Sequence, residues 1–183
     1  DATEAIGSGH AMRCMSIAAE VERRGGQALF VVSCAESLAF IERLGMRGVI
    51  LDSDPMRMCS DDAIMLLTFC SEIGASSLLV DTYGASDAFF QGLSVVNHAD
   101  LQIGVIDDLY SFEHGSYEIP KARDCDFVIN YDFMAADKGY EKAYSDTDND
   151  RDESPALLLG PRYAPIKQSF RKMRESGVRK QVK

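Results

Sequence analysis

Apolar and polar positions along this chain alternate between two rhythms. Cys14, Ile17, Ala18 and Val21 fall at i, i+3, i+4 and i+7, one face of a helix that Arg23, Arg24, Gly25 and Gly26 should stop. Residues 27–33 (QALFVVS) then read as a buried strand, 36–44 as a helix, and 48–52 (GVILD) as a second short strand. Ser60, Asp61 and Asp62 look like the cap and acidic first turn of a helix whose apolar face runs through Ile64, Leu67 and Cys70 to Ile73, ending at Gly74. Residues 77–81 are the clearest buried strand, 86–95 read as a helix, and 102–107, 126–130 and 156–159 repeat the strand pattern. The stretch 137–144 is ambiguous, 145–154 reads as an exposed acidic loop, and 165–176 predicts a helix with Pro165 in its first turn and Gly177 at its end. Strands alternating with helices mean βαβ units. The expected fold is therefore α/β, a Rossmann-like three-layer domain with one mainly parallel central sheet over residues 1–176 and a tail or linker at 177–183.

Composition narrows the function classes. At 183 residues and 46% hydrophobic, the chain is long enough for one well-buried domain. Its net charge of −10 argues against non-specific binding to nucleic acid or anionic membrane, since either needs a basic patch strong enough to overcome the overall field. No apolar run approaches the roughly 20 residues of a membrane span, and the N-terminus lacks a charged-then-apolar signal pattern, so the expected location is cytoplasmic. Cys14, Cys34, Cys59, Cys70 and Cys125 are odd in number and widely spaced in apolar contexts, which suggests buried thiols of a reducing compartment. No metal or other cofactor is expected. Asp146, Asp148 and Asp150 alternate as in a calcium loop, but the loop lacks glycine at its sixth position and glutamate at its twelfth.

The chemistry gathers around a glycine-rich turn, Gly7-Ser8-Gly9-His10, leading into the first helix. Such glycines admit positive φ and close approach of a ligand, and the helix start offers unpaired N–H groups and a positive dipole end. His10 and Arg13, three residues apart, share one side of the first helical turn. The plainer alternative is a tight strand-to-helix connection with His10 as a helix cap. A turn of this kind normally follows a strand, so residues 1–6 look like the end of one. The other polar candidates sit at predicted strand ends, where open parallel sheets bind ligands: Asp52, Asp81 with Tyr83, Asp107 with Asp108, and Asn130. Asp and Asn there also cap helices or form Asx turns, so each has a structural alternative. His98 and His114 read as surface loop residues. A dinucleotide site is disfavoured because Met12 stands at the third glycine position of that fingerprint.

Five segments in order, 6–14 (IGSGHAMRC), 78–83 (LLVDTY), 105–109 (VIDDL), 125–130 (CDFVIN) and 158–167 (LLGPRYAPIK), resemble the N-terminal half of the UDP-sugar hydrolases of pseudaminic acid biosynthesis and the related spore-coat polysaccharide proteins. The resemblance implies a GT-B-type architecture of two Rossmann-like domains, of which this chain would be the sugar-side one. The second domain, which mainly holds UDP, would be the partner, and a nucleotide-sugar the substrate. His10 stands where the family's proposed base activates water for attack on the sugar carbon, releasing UDP. Gly7, Gly9, Arg13, Asp81, Tyr83, Asp107 and Asn130 are the residues expected around the substrate. Thr82 replaces the histidine of the family's Asp-His-Tyr stretch, which leaves the sugar open. Lys167 replaces an arginine that meets substrate, keeping the charge and losing the bidentate fork. Hydrolysis, glycosyl transfer and a non-catalytic nucleotide-sugar-binding module of the same fold are the readings carried forward.

Overall fold

The computed structural model describes residues 1–4, 6–95, 101–109, 125–145 and 154–175. His98, His114, the alternating aspartates 146, 148 and 150, and the tail 177–183 lie outside the described residues. In chain order the elements are α1 (Gly9–Arg23), β1 (Phe30–Val32), α2 (Ala35–Arg43), β2 (Gly48–Ile50), α3 (Ser60–Glu72), β3 (Ser77–Val80), α4 (Asp87–Val95), β4 (Gln102–Ile106), β5 (Phe127–Asn130), α5 (Tyr140–Ser145), β6 (Ala156–Leu159) and α6 (Gln168–Glu175). Short 3-10 turns occupy Ala135–Asp137 and Pro161–Tyr163.

The fold is α/β, and every ladder between these strands is parallel. The strands form two sheets, β1-β2 and β3-β4-β5-β6, where the sequence pattern suggested one central sheet. Contacts likewise group into two compact units, Asp1–Leu51 with Pro165–Lys183, and Asp52–Ala164. Burial differs between the sheets. Residues 103–106 of the interior strand β4 are all buried, whereas Ile50 of β2 is 43% exposed. The first strand is also shorter than its apolar run, because pairing begins only at Phe30 and residues 25–27 are exposed.

In the first unit α2 connects β1 to β2, and Ala2, Ala11, Val32 and Ile41 form a core against which Phe30, Leu38, Phe40 and Met46 pack. The stop of α1 is as its sequence predicts: Gly25 takes φ +89° and Gly26 N–H returns to Val21 O at 3.0 Å, satisfying a carbonyl of the last turn. In the second unit α3 packs on α4 at Gly92, where a Cβ would lie 2.8 Å from both the Ala63 methyl and Ser60 O. Gly104 in β4 faces the Phe127 ring so closely that a methyl group there would overlap it. The start of α3 differs from expectation by one residue. Cys59 is the N-cap, and its N–H donates to Asp62 Oδ2 at 2.7 Å. All five cysteines are free thiols, but only Cys70 and Cys125 are buried, while Cys59 is exposed.

Candidate functional site

The turn before α1 is built on Gly7, which takes φ +78° while its N–H donates to Thr3 O at 2.7 Å. A residue with a Cβ would be strained in that left-handed conformation. Gly9, the first helical residue, is open for a different reason: its place in α1 does not require glycine, and a Cβ there would meet no protein atom within 4 Å. Both glycines are exposed. The N-cap residue Ser8 makes no side-chain cap, and the helix ladder begins with Met12 N–H to Ser8 O at 2.9 Å.

His10 is therefore inside the first turn of α1 and is not its cap. It is 8% exposed, and Arg13 Nη2 donates to its Nδ1 at 2.9 Å. A guanidinium has donors only, so this bond requires a bare Nδ1, and the neutral ring carries its proton on Nε2. The helical spacing predicted the shared face; the choice of nitrogen becomes visible only at atomic distance.

In the second unit, parallel pairing brings the ends of β3, β4 and β5 to one edge of the sheet, which places Asp81, Asp107 and Asn130 along that edge. Asp107 and Asn130 are buried there, at 7% and 0% exposed. Asn130 Nδ2 donates to Tyr140 Oη at 2.8 Å, Tyr140 Oη lies 3.0 Å from both Asp107 O and Asp107 Oδ2, and Asn130 Oδ1 accepts from Asp132 N–H at 2.9 Å. The single hydroxyl proton of Tyr140 serves one Asp107 oxygen at a time. Asn130 thus makes the Asx-type bond of its structural alternative, and with Asp107 it locks α5 onto the sheet.

Sequence reasoning missed Tyr140. Its signal was the pair Tyr140 and Tyr144, one helical turn apart in the ambiguous stretch; both are 1% exposed, and their rings stack 6.2 Å apart. Tyr83, by contrast, is 45% exposed and donates to Asp108 Oδ2 at 3.2 Å. Thr82 Oγ1 accepts from Gly84 N–H at 3.1 Å, so Thr82 shapes the turn after β3. Asp81 is half-buried, Asp52 is exposed, and Lys167 is exposed just before α6.

The structure brings His10 together with Arg13, and Asp107 together with Asn130 through Tyr140. Gly7, Gly9, His10, Arg13 and Lys167 belong to the first compact unit, and Asp81, Tyr83, Asp107 and Asn130 to the second. Among the described residues, no group of three or more His, Cys, Asp or Glu side chains is placed to hold a metal ion, and no helix is long and apolar enough to cross a membrane. No protein family, curated protein or solved structure matches the chain.

Proposed function

We propose that this chain is the sugar-side domain of a nucleotide-sugar hydrolase or glycosyltransferase-like protein of surface or spore-coat polysaccharide synthesis, working in the cytoplasm with a second Rossmann-like domain that holds UDP. The observation that carries this reading is the turn before α1. A largely buried His10 bonded to Arg13 lies in the first helical turn, beside a glycine whose missing side chain leaves space the protein does not fill. The start of a helix, with its unpaired N–H groups and positive dipole end, favours an anion there.

In the reaction, His10 takes a proton from water as the water oxygen bonds to the anomeric carbon of the sugar. The bond from that carbon to the diphosphate oxygen breaks, and its electron pair leaves with UDP. Arg13 and the first N–H groups of α1 meet phosphate or sugar oxygens, and Lys167 adds a point charge. In the second unit, Asp107 and Asn130 order the strand ends through Tyr140.

The test is a screen of UDP-sugars for UDP release by the protein carrying both domains. His10→Ala should lower kcat by about 10²-fold or more, the scale of a lost general base, with a much smaller change in nucleotide affinity. The present chain alone should turn over poorly, because remote contacts to UDP that position the reacting carbon belong to the other domain. Unchanged kcat with a lowered melting temperature would make His10 structural. The second reading, a nucleotide-sugar-binding module without turnover, draws support from Arg13 itself, which occupies the one ring nitrogen able to accept a proton. It predicts UDP-sugar binding with no UDP release.

A further inference from the structure

We propose that α6 docks on an anionic lipid surface, with an apolar row sinking into the headgroup boundary and a basic row meeting lipid phosphates. Ile166, Phe170 and Met173 recur at i, i+4 and i+7, the spacing of one helix face. Phe170 N–H donates to Lys167 O at 3.0 Å, so the winding already begins in the approach to the helix. Each of the three side chains is at least 60% exposed. Among the described residues two other large apolar side chains reach that exposure, Met56 and Phe133, and both belong to the second unit. α6 packs beside α1, and this row still faces water. Exposed apolar groups gathered on one short helix mark an interaction surface.

What covers the row is set by charge. Lys167, Arg171 and Arg174 follow the three apolar positions by one residue each, so in sequence a basic row runs beside the apolar one, about 100° around the helix. Eight of the 19 Lys and Arg but one of the 29 Asp and Glu fall in residues 161–183, leaving 11 and 28 in residues 1–160. That stretch therefore carries +7 and the remainder −17, an excess that the overall charge of −10 conceals. Charges act on a surface within a Debye length, about 8 Å at physiological salt, so the basic row governs the encounter more than the chain's total. An apolar row edged by Lys and Arg is the pattern of a helix lying in a membrane interface, where the charged groups reach along their apolar stems to the phosphates. A lipid surface is fluid and needs no matching pocket, which suits three separate side chains on a convex helix. Such attachment holds whether or not the turn before α1 takes a nucleotide-sugar.

The experiment is co-sedimentation of the full chain with vesicles of phosphatidylcholine alone and with vesicles containing about one-third phosphatidylglycerol. The chain should bind the anionic vesicles and not the neutral ones, and about 0.5 M salt, where the Debye length falls to about 4 Å, should release it. Phe170→Ser should weaken binding about tenfold or more, the scale of one lost apolar anchor. Arg171→Gln together with Arg174→Gln should weaken it about fivefold for each charge removed. The lipid and salt dependence of the unaltered chain decides the matter even if a variant does not fold. Absence of binding to the anionic vesicles overturns the proposal, as does equal binding to both kinds, or binding that all these variants leave intact. Self-association of the chain without lipid that Phe170→Ser abolishes would assign the row to a second copy and overturn it as well.

Discussion

The turn over residues 7–13 and the carboxyl edge of the four-stranded sheet carry similar polar residues at positions where α/β proteins bind ligands. Their structural roles differ. At the sheet edge Asp107 and Asn130 are buried and bonded to Tyr140, whose loss would loosen α5. At the turn, Gly9 leaves open space, Ser8 makes no side-chain cap, and the His10–Arg13 pair sits in the first turn beside that space. A polar residue at a strand end is a candidate only until its hydrogen bonds are accounted for. The open space at Gly9 is shared by other surface glycines of the chain, so it is the His10–Arg13 pair that sets the turn apart.

The widest contrast between the two units is expected in their thiols. Ser37 Oγ lies 3.3 Å from Cys34 Sγ, and the Ser37 hydroxyl, followed by the Ser37 N–H at the start of α2, holds the Cys34 thiol below its ordinary value; burial pushes Cys70 above it. Cys34 should therefore react with iodoacetamide at pH 7.5 faster than Cys70 by about tenfold or more, measured by mass spectrometry of the modified peptides. Ser37→Ala should move the Cys34 pH–rate profile to higher pH. Since the folded value is depressed, this thiol stabilises the fold at high pH, and that contribution fades as pH falls through the folded value. Equal rates for the two thiols would remove the contrast.

Stability effects should follow in order. Gly104→Ala drives a methyl group into the Phe127 ring at the middle of the sheet and should cost about 3 kcal/mol, near the upper end of overpacking. Asn130→Ala strips the buried hydroxyl of Tyr140 and the Asp132 N–H of a partner, for a loss of about 2 kcal/mol. Tyr83→Phe removes an exposed bond to Asp108 and should change stability by less than about 0.5 kcal/mol. Urea unfolding of the three variants checks the ranking, and a Tyr83→Phe loss as large as that of Asn130→Ala would erase the distinction drawn along the sheet edge.

The smallest stability effect is the most informative for function. Gly9→Ala places a better helix former at the start of α1 in open space, so stability should stay the same or rise by up to about 0.5 kcal/mol. On the proposed function, nucleotide-sugar binding, measured by calorimetry on the two-domain protein, should nonetheless weaken, because the methyl group would take room that reading gives to the ligand. Undiminished binding would leave Gly9 without a role at the turn.

Much of the fold was legible because local rules act over a few residues. Helical periodicity located α1 and α3, and glycine stops marked where α1 and α3 end, since both depend on nearest turns of the chain. The stretch 137–144 was not legible. Its only large apolar groups are two tyrosines, and its helix is held by Asn130, ten residues from Tyr140, and by Asp107, 33 residues away. The functional candidates show the same division. Position alone brought out Asp107 and Asn130, but their burial and their bonds to Tyr140 come from packing.

Hydrophobic rhythm and turn chemistry in the sequence by itself determined that this is an α/β chain with parallel pairing, and that a glycine turn carrying His10 and Arg13 opens its first helix. Only the tertiary structure decided that the strands pair as two sheets and that Asn130 is an internal tie. The same holds for which nitrogen of His10 accepts the hydrogen bond from Arg13. The reason is range. Periodicity and capping are settled by neighbours three or four residues away, whereas strand partners, buried hydrogen bonds and ring tautomers are settled by groups that meet only when the chain has folded.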